Sequence, residues 1–265
     1  FEALKASAPI HRRARETTSQ ANTNLSFFEA YFSNFIEGTE FEINEAVDIV
    51  FNGRIPNDRP EDAHDVLGTF RIVSDTTEMS RLPGSAEELS QLLKSRHAVF
   101  MELRPDKHPG AYKIKNNQAG SSLFVAPELV EGTLEKGFEI YQSLNVPLYR
   151  AIFMMFLISE IHPFTDGNGR AARIMMNAEL VAADEEKIII PTVYRSNYLS
   201  SLKALTHNGL TDPLIRTLDF AQKYTRSLDW HNFEEARHQL TETNAFMDPN
   251  EADETGVRLK LYQER

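Results

Sequence analysis

The chain has 265 residues, 41% hydrophobic and 25% charged, with a formal net charge of −11 and no cysteine. That composition suits one large globular domain or a domain with an extension. It argues against nonspecific nucleic-acid binding and against an anionic membrane surface, both of which want a basic face, and it removes disulfides and thiolate metal sites.

The first clear helical stripe is "NEAVDIVFNG", closed by Gly53, and "RIPNDRPEDAH" after it reads as a polar, proline-marked loop. "SAEELSQLLKSRHAVFMEL" is expected to be a helix, with Ser85 and Glu88 at capping-box spacing. "RPDKHPGAY" breaks helical structure, and "AYKIKNNQAGSSLFVAP" reads as a β-hairpin or flap. "VPLYRAIFMMFLISEI" is apolar all round and predicts a buried helix that starts near Pro147 and ends near His162, because Pro163 disfavours helical geometry before it. A second helix is expected from about Gly169 to Asp184. "KIIIPTVY" is open between loop and short strand, while "SNYLSSLKALTHN" and "DPLIRTLDFAQKYTRSL" predict two more helices. The tail after Trp230 is acidic and weakly patterned. The longest purely apolar run, "AIFMMFLI", is too short to span a bilayer as a helix. Phe1 in place of Met suggests that the numbering starts inside a longer product, and the lack of cysteine is compatible with a cytoplasmic location.

Between the two central helices lies "IHPFTDGNGRAAR". Unpaired N–H groups at the start of the second helix, with its partial positive charge, form an anion site suited to phosphate. The glycines let the backbone approach a ligand, and successive N–H groups can form a nest. Arg170 and Arg173 are three apart and share a helix face, and guanidinium groups clamp phosphate oxygens. Asp166 would repel phosphates unless a hard cation bridged them, which describes Mg²⁺. His162 can take a proton from a hydroxyl. The pieces taken singly have plainer readings: a turn, a structural histidine before proline, a solvated arginine face. Neither a Walker phosphate loop nor a His-Glu-x-x-His zinc site is present.

Taken together, "HPFTDGNGRAAR" resembles the signature of the Fic family, His-Pro-Phe-x-Asp/Glu-Gly-Asn-Gly-Arg-x-x-Arg, and fills every position. The resemblance implies a mainly α fold, a helical bundle with a small β-hairpin flap beside the active site. It implies transfer of AMP from ATP to a Ser, Thr or Tyr hydroxyl of a target protein. His162 becomes the base, Phe164 the core anchor of the loop, and Asp166 the Mg²⁺ ligand. Gly167, Asn168 and Gly169 form the anion hole, Arg170 contacts phosphates, and Arg173 reaches toward the γ-phosphate. "GAYKIKNNQAG" looks like the family's flap, with Tyr112-Lys113 where Tyr-Arg is common, so Tyr112, Lys113, Ile114 and Lys115 are expected to dock the target as an added strand. In "TVYRSNYLSSL", Tyr198 is the aromatic expected near the adenine, with core packing as its other reading.

Upstream, "SNFIEG" resembles the family's inhibitory motif, Ser/Thr-x-x-x-Glu-Gly/Asn, filled by Ser33, Glu37 and Gly38. In that reading Glu37 pairs with Arg173 and keeps it from ATP; in the other, Glu37 is a solvated acid at a helix end. The chain is accordingly divided into residues 1–84, an N-terminal helical region with the inhibitory motif, residues 85–225, the catalytic domain, and residues 226–265, an extension without a role read from sequence. The expected partners are ATP, with Mg²⁺, and a target protein, with neither nucleic acid nor membrane. Removal of AMP, transfer of another phosphate-containing group, a non-catalytic nucleotide-binding module and a homo-oligomer all stay open at this stage.

Overall fold

The computed structural model describes residues 1–8, 10–15, 18–120 and 122–263. Among them the helices run in the order α1 (Glu2–Ala6), α2 (Ser19–Ile36), α3 (Ile43–Asn52), α4 (Pro60–Ser74), α5 (Thr76–Met79) and α6 (Ala86–Phe100). A minimal antiparallel hairpin follows, β1 (Gln118–Ala119) and β2 (Ser122–Leu123). Then come α7 (Val130–Tyr141), α8 (Pro147–Ile161), α9 (Asn168–Ala182), α10 (Arg195–Asn208), α11 (Asp212–Ser227), α12 (Phe233–Glu242) and α13 (Pro249–Thr255). No helix in the described residues is long and apolar enough to cross a membrane.

The centre is α8 laid along α9. α8 buries residues on nearly every side, including Leu148, Ile152, Met154, Met155 and Ile158, as its unbroken apolar sequence predicts. Pro147 sits at its first turn, where a missing N–H costs nothing. It ends at His162, which takes a left-handed conformation at φ 52° and ψ 59°. α6, α7 and α9 complete this core around Leu89, Leu93, Phe138 and Phe164. In α6 the Ser85 side chain accepts from Glu88 N–H at 3.1 Å, while Glu88 reaches back to Gly84 N–H rather than to the cap residue.

A second core lies around α2. Phe27, Phe28 and Phe32 pack on Trp230, Phe233 and Phe246 from the C-terminal region. Centroid separations of 5.1–6.3 Å among these rings are those of favourable aromatic pairs. The weakly patterned tail thus has a stacking partner and folds into α12 and α13, capped by Asn232 and Asp248.

Two expectations differ from the structure, and one open reading is settled by it. The polar segment read as loop through residue 64 gives way at Pro60 to α4, for which proline at the start and Glu61 and Asp62 in the first turn are favourable. The flap hairpin is much shorter than its sequence suggested. Residues 111–117 are tied instead to the loop after α8: Lys113 N–H donates to Pro163 O at 2.9 Å, and Asn117 Nδ2 to Phe164 O at 2.8 Å. Of the two readings open for "KIIIPTVY", the structure gives the loop: Thr192–Tyr194 make a single 3₁₀ turn, and residues 187–191 are buried and pair with no strand. Side chains stand in for one: Asn177 accepts from and donates to the Ile188 backbone, and Thr225 Oγ1 accepts from Ile189 N–H.

Candidate active site

The loop between α8 and α9 is held by three neighbours. Asn168 Oδ1 accepts from Phe164 N–H at 2.8 Å and its Nδ2 donates to Phe164 O at 2.9 Å, so the asparagine side chain closes the loop rather than facing a ligand. Phe164 is fully buried and stacks on His97 at 3.7 Å with rings 5° from parallel. His97, unnoticed in the sequence, is itself buried. Its Nδ1 accepts from Gly110 N–H at 2.9 Å, so Nε2 carries the proton and donates to Asp166 O at 3.0 Å. Burial pushes its pKa down to about 4, so the ring stays neutral.

Gly167 caps α9 at φ 73°. A β-carbon there would lie 2.8 Å from Phe100 Cε2, so both the dihedral and the space call for glycine. No side chain caps the first turn of α9, and Gly169 of that turn lines a cleft of about 390 Å³. His162, Gly169, Arg173 and Tyr198 line that cleft together, with Glu37 across from them.

His162 is half-buried and stacks on Phe124 at 3.7 Å. Its Nδ1 is 3.2 Å from Ser159 O, which can only accept. Nδ1 therefore carries the proton and Nε2 keeps its lone pair, the arrangement a base needs. Desolvation lowers the His162 pKa, and the Lys113 ammonium adds to the effect. Lys113 is buried, bonded to Asn117 Oδ1 and Ile161 O, and burial pushes its own pKa down to about 8.

Arg173 is 5% exposed. Its Nη2 meets Glu37 Oε1 at 2.6 Å and Ser33 O at 2.8 Å, and its Nε meets Ser33 Oγ at 2.9 Å. Burial is the largest influence and opposes the charge, but the Glu37 carboxylate and the Tyr198 hydroxyl together outweigh it and hold the guanidinium pKa above its ordinary value. Glu37 also presses on the turn of α9: a β-carbon on Gly169 would fall 2.2 Å from its Oε1. A carboxylate thus occupies the anion position at this helix N-terminus. Gly38 follows at φ 90° and turns the chain away after α2.

Other sequence-derived assignments land elsewhere. Arg170 was expected at the phosphates. It is 3% exposed and faces the opposite way, with Nη1 on Asp65 Oδ2 at 2.8 Å, because α4 brings a buried carboxylate beneath it. Tyr112 is packed against Phe164 and donates to Ser90 Oγ, so it supports the loop from below. Lys113 points inward as well, leaving Ile114, 76% exposed, and Lys115 as the outward residues of that segment. Tyr198 is buried with its hydroxyl 3.4 Å from Met155 Sδ, so packing is a large part of its role.

Asp166 is half-buried, and its Oδ1 accepts from Gly167 N–H at 2.6 Å. No other protein group is bonded to Oδ2 among the described residues, and these contain no cluster of three or more His, Asp or Glu that could hold a metal. One free carboxylate oxygen beside an anion cradle fits Mg²⁺, which takes few protein ligands and keeps phosphate and water as the rest.

The chain matches the Fic/DOC family over residues 87–180. It is similar to "Protein adenylyltransferase fic-1" of Caenorhabditis briggsae, 28% identical over an alignment of 231 residues that covers 82% of this chain and 42% of that protein. It is also similar to "Protein adenylyltransferase Fic" of Drosophila willistoni, 40% identical over 76 residues, 29% of this chain and 15% of that one. The chain spans less than half the length of these curated relatives. Among solved structures it resembles Fic-1 of C. elegans, with TM-score 0.64 and 20% identity, covering 78% of this chain and 64% of that one. A Fic domain containing signaling protein of Bacteroides thetaiotaomicron gives TM-score 0.61 and 19% identity, covering 87% and 96%. At these identities the structural likeness concerns the fold.

Proposed function

We propose that the protein, which matches the Fic/DOC family over residues 87–180, is an adenylyltransferase, moving AMP from ATP to a hydroxyl of a target protein and restrained by its own Glu37. The observation that carries this is the single cleft lined by His162, Gly169 and Arg173. In it a histidine with an available Nε2, an uncapped helix N-terminus and a buried guanidinium converge.

His162 Nε2 takes the proton of the target hydroxyl as that oxygen attacks the α-phosphorus of ATP. The bond to the β-phosphate oxygen breaks and pyrophosphate leaves. His162 is fixed for this by its bond to Ser159 O and by the Phe124 face. The N–H groups of the first turn of α9 receive the phosphates, and Arg173 receives the γ-phosphate once Glu37 leaves it. Asp166 would hold Mg²⁺, which neutralises phosphate charge when bound. The target would lie against the flap as an added strand beside Ile114 and Leu123, both strongly exposed. The adenylyltransferase names of the relatives support the same reaction.

Labelled ATP tests the reading. Label transferred to protein from the α position, and none from γ, is the expected result. Transfer from γ alone would make the protein a kinase, and nucleotide binding without any transfer would make it a binding module.

A further inference from the structure

The burial of Arg170 leaves the cleft one guanidinium short of the two that its sequence promised, and another cation stands in the gap. Arg195 is the first residue of α10 and lines the same cleft as Glu37, Arg173 and His162. Its Nε donates to Ile36 O at 3.1 Å, the last carbonyl of α2. Its two Nη atoms have no protein partner among the described residues, and no carboxylate pairs with it there. A cation in the first turn of a helix is disfavoured by the helix dipole, by about 0.3–1 kcal/mol. A purely structural surface residue at this place would more often be acidic or a small capping residue.

The rest of α10 explains the position. Residues 195, 199, 202 and 206 share one helix face, and all four line the cleft. They run Arg, Leu, Leu, Thr over a rise of about 16 Å at ~1.5 Å per residue. One wall of the cleft thus carries Arg195 at the end beside Glu37, Leu199 and Leu202 in its middle, where a base would lie, and Lys203 next to them. At the charged end Arg195 is beside the anion position that Glu37 now occupies.

We propose that Arg195 is the second phosphate-binding arginine of this site, taking the place that the sequence motif assigns to Arg170, and that it serves the inhibitory helix and the nucleotide in turn. With α2 docked, Nε holds Ile36 O. With Glu37 withdrawn, the guanidinium is within the cleft to take polyphosphate oxygens. Nucleotide and α2 therefore compete for Arg195 as they do for Arg173. The inference rests on the nucleotide-transfer reading above, and its test separates the two.

Calorimetry with adenosine, AMP, ADP and ATP on Glu37→Gly protein, with and without Arg195→Ala, decides it. A lost charge-assisted contact should weaken ATP about tenfold or more, while adenosine stays within about twofold, because its apolar wall is untouched. Arg195→Lys should restore part of the ATP affinity, since it keeps the charge and loses the fork. Equal losses for adenosine and ATP would make Arg195 a structural residue of α10 and overturn the proposal. Unchanged ATP affinity in Arg195→Ala would overturn it as well. If the parent Glu37→Gly protein bound no nucleotide at all, the transferase reading itself would fall, and this inference with it.

Discussion

Replacing Glu37 by glycine should raise AMP transfer by about 10–10²-fold, seen first as self-labelling. The size follows from the contact. At 2.6 Å and an effective dielectric near ~20, the gross Coulomb attraction between Glu37 and Arg173 is about 6 kcal/mol. Most of that is offset, since Arg173 is desolvated and the Glu37 side chain is 29% exposed to water. A charge-assisted bond of this kind keeps a net ~1.5–3 kcal/mol, and at about 1.36 kcal/mol per decade that gives the stated range. Glu37→Gln is the companion variant. It keeps the shape of the helix end and removes the charge, so it should activate in part. Arg173→Ala added to Glu37→Gly should abolish the gain, because the freed guanidinium is what ATP uses. Initial rates of α-labelled ATP incorporation, into the protein itself and into lysate proteins, are the assay. Wild-type rates in both Glu37→Gly and Glu37→Gln would refute the reasoning, and the 2.6 Å pair would be an ordinary ion pair at a helix end.

Four further outcomes are expected. His162→Ala should lower transfer by about 10²–10⁴ while nucleotide affinity stays, and a normal rate would remove it from the chemistry. Asp166→Ala should abolish the Mg²⁺ dependence of transfer; an unaltered Mg²⁺ titration would leave Asp166 only its bond to Gly167 N–H. Gly167→Ala should cost about 1–3 kcal/mol of stability and most of the activity, because φ 73° and the Phe100 ring both reject a β-carbon; a thermal melt equal to wild type would contradict that. His97 has a folded pKa near 4, below its unfolded value of 6.5, so the unfolded chain binds the extra proton. Its contribution is complete above pH ~6.5 and is lost as pH falls toward 4, up to about 3 kcal/mol. Wild type should therefore lose stability relative to His97→Gln across that window, and parallel pH curves for the two proteins would show that His97 carries no such linkage.

The helices that carry the site were legible because each has a local signal. The all-apolar run of α8, the proline that starts it, and the glycine that caps α9 act within a few residues of where they are read. The pairing of Glu37 with Arg173 was legible only through the family resemblance, since nothing local links residues 136 positions apart. The fate of Arg170 was not legible at all. Its partner Asp65 lies in α4, a helix concealed by a polar, proline-marked start. His97 was missed for the same reason: a histidine in a helix looks like any other until Gly110 and Asp166 are seen on either side of its ring. α2 gave no clear period because it is buried on almost every face, with aromatics on one core and Ser33, Asn34 and Glu29 on the other.

The burial of α2 limits how the site could open. α2 is too thoroughly buried to leave as a unit: Phe27, Phe28 and Phe32 anchor it in the second core, and Asn24 donates to Trp230 O at 2.8 Å. Its end is different. The contacts from Ser33 to Glu37 on Arg173, and Ile36 O on Arg195, are polar, and each could be replaced by a phosphate oxygen or by water. Release would therefore take the last turn of α2 to unwind and the buried Ile36 side chain to leave the first core, with the aromatic anchor left in place. A few hydrogen bonds and one buried aliphatic side chain would separate the closed cleft from an open one, and the charged part of that restraint is what a single substitution at Glu37 would remove.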